Sequence, residues 1–151
     1  MGTVVDTLDE LAQLVGQPLG FSSWIEIDQH RIDLFAEATG DHQWIHTDPE
    51  RAKDGPFGGT IAHGYLTLSL LIPMWTELLD VREAGTKINY GLDKVRFPAP
   101  VPAGSKVRAT ATLASVQPAG DGVQVAVDAV IEREGGAKPV CAATALFRFY
   151  R

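Results

Sequence analysis

One carboxylate and two imidazoles, Asp41, His42 and His46, fall within six positions in ATGDHQWIHTDPERA, residues 38–52. Trp44 and Ile45 stand between the polar side chains, and Pro49 closes the stretch. Asp41 and His46 lie five positions apart across a turn, so both side chains can point into one cavity. A carboxylate and an imidazole that share one water orient it and exchange protons with it. That is general acid–base chemistry, worth about 10²–10⁴ in rate. Apolar neighbours keep such a site dry and shift the titration of groups held there. A plainer reading of the same residues stays open: Asp41 bonding turn amides, and His46 capping the next helix. His42 and His46 also have the i, i+4 spacing of a metal-binding helix. Gly40-Asp41 and Asp48-Pro49 interrupt it, and no cysteine or second acidic ligand is nearby, so no metal is expected. His42 and His30 are expected to face solvent.

FGGTIAHGYL, residues 57–66, offers a second kind of group. A glycine opening a helix leaves free N–H groups at the positive end of the helix dipole. Gly64 has no Cβ, so a substrate oxygen can approach its amide closely. Such a donor stabilises a developing oxyanion, and removing one typically costs about 2.7–4 kcal/mol. Gly64 serves equally well as a point of close helix packing. His63 beside it is placed to support the loop. Ser69, further along, reads as a hydroxyl bonding its own helix backbone.

Several elements must position these groups. Leu8, Leu11, Leu14 and Val15 have helical spacing, with Asp6 as N-cap and Gly16 as stop. GFSSWIEID reads as one strand. Asp28 caps a helix that ends at Gly40, and Asp48-Pro49 starts a short one. Residues 63–79 are apolar on nearly every face, which predicts a buried helix kinked at Pro73. After Gly85 come four runs of alternating, β-branched residues. Val107, Ala109, Ala111 and Leu113 share one face, as do Val123, Val125, Val127, Ala129 and Ile131. PAGDG, 118–122, is a hairpin signal. A curved antiparallel sheet around one long helix is the α+β solution. Small residues on the sheet, Ala109, Ala111, Ala126, Ala129 and Ala143, would let the helix come close.

The chain has 151 residues, 45% hydrophobic and 21% charged, which fits a single domain over 1–151 with its own core. A net charge of −6 argues against nucleic acid and anionic membranes as partners. The single cysteine, Cys141, suits a reducing, cytoplasmic setting. The N-terminal residues show no basic region or apolar signal core, and Pro73 breaks the most apolar run at about half a membrane span.

GDHQWIHTDPERAK followed by GPFGGTIAHGYLTLSL resembles the motif of the MaoC-like, or (R)-specific enoyl-CoA hydratase, family, with its NodN-like branch the best match. The matching positions are Asp41, Gln43, His46, Pro49, Phe57, Ile61, His63 and Gly64. VRFPAPVPAG, 95–104, is similar to the family's strand after the central helix. The resemblance implies a hotdog fold, a sheet wrapped around a central helix, and a homodimer. It implies reversible addition of water to a trans-2-enoyl thioester of coenzyme A or an acyl carrier, giving an (R)-3-hydroxyacyl thioester without a cofactor. Asp41 and His46 carry over as the water-activating pair, and Gly64, Ser69 and Gln43 as substrate-binding residues. Gln43-Trp44 stands where most active members have Asn-Pro; the longer amide can substitute, but losing the proline frees the turn. A hotdog thioesterase and a non-catalytic acyl-thioester-binding protein are the alternatives. Lys94 and Arg96 are placed either to meet coenzyme A phosphates or to be solvated strand charges.

Overall fold

In the computed structural model, which describes residues 2–151, the sheet grows outward from a long hairpin. Strands β6 (Ser105–Ala119) and β7 (Gly122–Arg133) pair antiparallel. Gly120, at φ 60°, makes the tight turn between them. β8 (Cys141–Tyr150) lies against β7, and β5 (Thr86–Arg96) forms the edge beyond β8. On the far side β6 pairs with β2 (Pro18–Phe21) and β3 (Ile25–Ile27). The expected inner faces hold: Val107, Ala109, Ala111 and Leu113 are buried, as are Val125, Val127, Ala129 and Ile131. Ala126 is a correction. It alternates with Val125 and Val127 and so falls on the other face of β7.

The expected single strand over GFSSWIEID is two. Between β2 and β3 the Ser22 hydroxyl accepts from the Ala109 N–H at 2.9 Å, taking a place in the ladder that a main-chain carbonyl would fill. The first helix, Leu8–Leu14, is a 3₁₀ helix preceded by Thr7, whereas an α-helix capped by Asp6 was expected. Leu8 and Leu11 are both buried, and a spacing of three matches the three residues per turn of that helix. Asp6 instead pairs with Arg82 at 2.9 Å. The remaining helix signals hold. Asp28 accepts from the Arg31 N–H and starts α1 (Gln29–Thr39), which Gly40 ends at φ 84°. Asp48 accepts from the Arg51 N–H and starts α3 (Pro49–Ala52). A short parallel pair, β1 (Thr3–Val5) with β4 (Leu79–Val81), was not foreseen.

The central helix is two segments, α4 (Gly64–Ser69) and α5 (Leu71–Leu78), and the interruption lies at Leu70. Pro73 explains the place. It has no N–H for the Ser69 carbonyl four residues back, and its ring crowds that carbonyl. In the first turn of α5 the missing N–H costs nothing. Leu66, Leu71, Met74, Trp75 and Leu78 fill the core, and Trp75 stacks on Phe147 of β8 at 5.3 Å. The helix is not buried all round, as its composition suggested. Tyr65 is 71% exposed, and Ser69, Pro73 and Thr76 share its open side. Met74→Ala should lower stability by about 2–5 kcal/mol in denaturant unfolding. Thr76→Ala, on the open side of the same helix, should stay within about 0.5 kcal/mol.

Candidate active site

His46 sits on α2 (Trp44–Thr47), a single helical turn too short to stand by itself. Contacts from outside hold it. The Ile61 N–H donates to the Ile45 carbonyl at 3.0 Å, and His46 Nδ1–H donates to the Ile61 carbonyl at 2.7 Å. Gln29, at the start of α1, donates from Nε2 to the His46 carbonyl at 2.7 Å and accepts from the Thr60 hydroxyl at 2.6 Å. A carbonyl only accepts, so Nδ1 of His46 carries the hydrogen and Nε2 presents a lone pair.

Trp44 settles what becomes of a turn without proline. Its ring lies beneath the Arg51 guanidinium at 4.3 Å and against Gly55, where a Cβ would come within 3.0 Å of it. The turn is pinned by packing rather than freed. Gln43 is exposed, and its main-chain carbonyl accepts from the N–H groups of His46 and Thr47.

Asp41, His46, His63 and Gly64 meet in one cleft of about 440 Å³ walled by Phe35, Tyr65 and Phe97. Asp41 is exposed, whereas His46 is 7% and His63 2% exposed. Ligand-type atoms of Asp41, His46 and His63 all lie within 4.8 Å of one another. One water donating both hydrogens to two acceptors spans about 4.6 Å, so a carboxylate oxygen and an imidazole nitrogen at this separation fit a shared water. The two imidazoles stack, with centroids 3.9 Å apart and planes 26° apart. His42 turns outward toward Glu37 at 3.7 Å, and His30 is exposed.

Gly64 begins α4, so its N–H has no partner within the helix. The ring of Phe97 lies over it, and a Cβ at this position would sit 3.1 Å from that ring. Close packing alone thus favours glycine here, and the same bareness leaves the amide reachable from the cleft. Ser69 does not line this cleft. Its hydroxyl donates to the Tyr65 carbonyl at 2.7 Å, as the plain reading anticipated. It borders an adjoining groove with Leu68, Leu92 and Val95 that shares Tyr65 and Phe97 with the cleft. Gln43 lines neither. Sequence reasoning gave His63 only a supporting place and missed Gln29, whose contacts span 17 and 31 residues and leave no local pattern.

A family model described as a MaoC like domain matches residues 10–134. The chain belongs to the MaoC-like family. Two similar proteins place it near that family's NodN-like branch. The 3-hydroxyacyl-thioester dehydratase Z of Mycobacterium tuberculosis is 52% identical over 145 residues, covering 95% of this chain and 96% of that protein. Nodulation protein N of Rhizobium leguminosarum bv. viciae is 47% identical over 140 residues, 91% of this chain and 87% of that one. Among solved structures, a monoamine oxidase regulatory protein from Archaeoglobus superposes with a TM-score of 0.79 at 24% identity, covering 100% and 99% of the two chains. The fold of this MaoC-like chain is accordingly the hotdog, an antiparallel sheet around the α4–α5 helix.

Burial pushes the His46 imidazole below its ordinary 6.5. The nearby His63 adds to the depression, while the Ile61 carbonyl and Asp41 oppose it. The unfolded chain therefore binds a proton here at a higher pH than the folded one. Folding stability should be level above about 6.5 and fall as pH drops from there through the folded value. Denaturation midpoints measured from about pH 8 to pH 5 should show this decline, and His46→Gln should remove His46's share of it.

Proposed function

We propose that this chain is an (R)-specific enoyl-thioester hydratase, adding water reversibly to a trans-2-enoyl thioester to give an (R)-3-hydroxyacyl thioester. The carrying observation is an Asp41 carboxylate and a His46 imidazole within 4.8 Å in a cleft with apolar walls. The relative named as a 3-hydroxyacyl-thioester dehydratase supports the reaction class, written in the reverse direction. The whole of 1–151 acts as one MaoC-like domain in this reading.

A water that donates one hydrogen to Asp41 and one to His46 Nε2 has its oxygen lone pairs free for C3. The thioester carbonyl lies at the Gly64 N–H. As the C3–O bond forms, the C2=C3 electron pair moves toward that carbonyl, and the amide stabilises the enolate. The pair takes one proton from the water and returns one to C2, so the atoms of water end on C3 and C2. Asp41 is the proton acceptor of this scheme. The addition is redox-neutral and needs no metal or nucleotide. The acyl chain follows the groove past Tyr65, Phe97, Ser69 and Leu92, and Gln43 holds the turn beneath the pair.

The proposal includes a homodimer. β5 forms an outer edge of the sheet, and its Ile88, Tyr90 and Leu92 are 42%, 52% and 46% exposed. An exposed edge of this length is a template for pairing with a second strand, and it adjoins the open side of α4. Burial pushes the Cys141 thiol up to about 11, which fits an inert thiol in a cytoplasmic protein. No helix among the described residues is long and apolar enough to cross a membrane.

With crotonyl-CoA, the enoyl-thioester absorbance should fall and an (R)-hydroxy product should form. Asp41→Asn and His46→Gln should each lose about 10² or more in kcat. Release of free thiol would instead identify a thioesterase, and binding without turnover over short and long chains a carrier-binding protein. Sedimentation should find a dimer, and Ile88→Glu should shift it toward monomer without unfolding it.

A further inference from the structure

We propose that His63 is a positioning residue for the water-activating pair, holding Asp41 by a hydrogen bond and His46 by ring contact. The proposal rests on the hydratase reading above. His63 Nε2–H donates to the main-chain carbonyl of Asp41 at 2.9 Å. The other ties given for Asp41 are weak: its N–H lies 3.4 Å from the Thr39 hydroxyl, and its carboxylate is 3.4 Å from the Gln43 N–H. Asp41 belongs to no helix or strand. The bond from His63 is thus its shortest anchor, and it reaches back 22 residues from the start of α4. On its face, the same imidazole stacks with His46 at 3.9 Å and is flanked by Phe35 at 4.9 Å.

One ring therefore sets the distance between the two members of the pair. Its position is itself set, because His63 is the residue immediately before α4 and is buried. The geometry also says what His63 does not do. A carbonyl only accepts, so the single N–H of the neutral ring is committed to Asp41. The remaining nitrogen, Nδ1, is buried and has no hydrogen-bond partner among the described residues. The Nε2 hydrogen is not free for substrate while it holds Asp41. Its contribution is placement, and a misplacement of about 1 Å in such a site can cost about 10²-fold in rate.

Two substitutions separate the hydrogen bond from the ring. His63→Phe keeps an aromatic face for His46 and loses the donor. His63→Gln loses the ring and offers an amide N–H close to where Nε2 stood. With crotonyl-CoA as substrate, His63→Phe should lower kcat by about 10–100-fold with KM within about threefold. His63→Gln should keep a kcat about tenfold above that of His63→Phe. Amide exchange at residues 41–43 should quicken in His63→Phe and stay near wild type in His63→Gln. The ring signals of His46 should titrate at higher pH in both variants; the titratable groups whose charges reach it are His63 and Asp41. A wild-type kcat in His63→Phe, or an equal fall in both variants with equal exchange at 41–43, would overturn the proposal. If wild type turns over no enoyl thioester, the hydratase reading fails alone, and the exchange and titration data still judge the role of His63.

Discussion

The site depends on the bonding of one helical turn to Ile61, just ahead of the central helix. Two hydrogen bonds make the joint, Ile61 N–H to the Ile45 carbonyl and His46 Nδ1–H to the Ile61 carbonyl, at 3.0 and 2.7 Å. A four-residue helix has no stability of its own to offer. His46 is fixed because the chain on either side of it is fixed. Gln29 ties the same turn to α1 and to Thr60. The second of these bonds also sets the chemistry. By using up the Nδ1 hydrogen, it turns the basic nitrogen of His46 toward the cleft.

The cleft divides its two groups between two environments. His46 is buried, and desolvation favours its neutral form. Asp41 remains exposed. A buried acceptor beside a solvated carboxylate is a reasonable way to hold one water next to apolar walls. The walls are the aromatic rings of Phe35, Tyr65 and Phe97. Phe97 has the further effect of favouring glycine at 64, since a Cβ there would crowd its ring at 3.1 Å. Packing and chemistry thus make the same demand on one residue.

The open side of the central helix gives the fold its unfinished edge. Pro73 interrupts the helix by depriving the Ser69 carbonyl of a partner, and the residues around the interruption leave Tyr65 and Ser69 facing outward. β5 lies alongside with its own apolar residues exposed. The groove between them continues from the Asp41–His46 cleft through Tyr65 and Phe97. A second copy joined at β5 would cover this surface and close the groove in the same step.

Much of this was legible before folding. Caps at Asp28 and Asp48, the stop at Gly40 and the hairpin turn at Gly120 depend on side chains and φ angles within a few residues. The buried faces of β6 and β7 follow from alternation. Asp41 and His46 stood out because their types and spacing are unusual beside Trp44 and Ile45. Other features had no local signature. Whether the Ser22 hydroxyl splits a strand depends on Ala109, 87 residues away. Whether an apolar helix face is buried depends on what covers it, so composition overstated the burial of residues 63–79. His63 becomes an anchor only when Asp41 arrives beside it. The sequence by itself determined the turns and the strand faces, because short-range sterics and hydrogen bonding decide them. Tertiary structure alone decided which nitrogen faces the cleft, what holds the pair apart and which surface stays open, because each rests on groups that meet only after the chain has closed over its core.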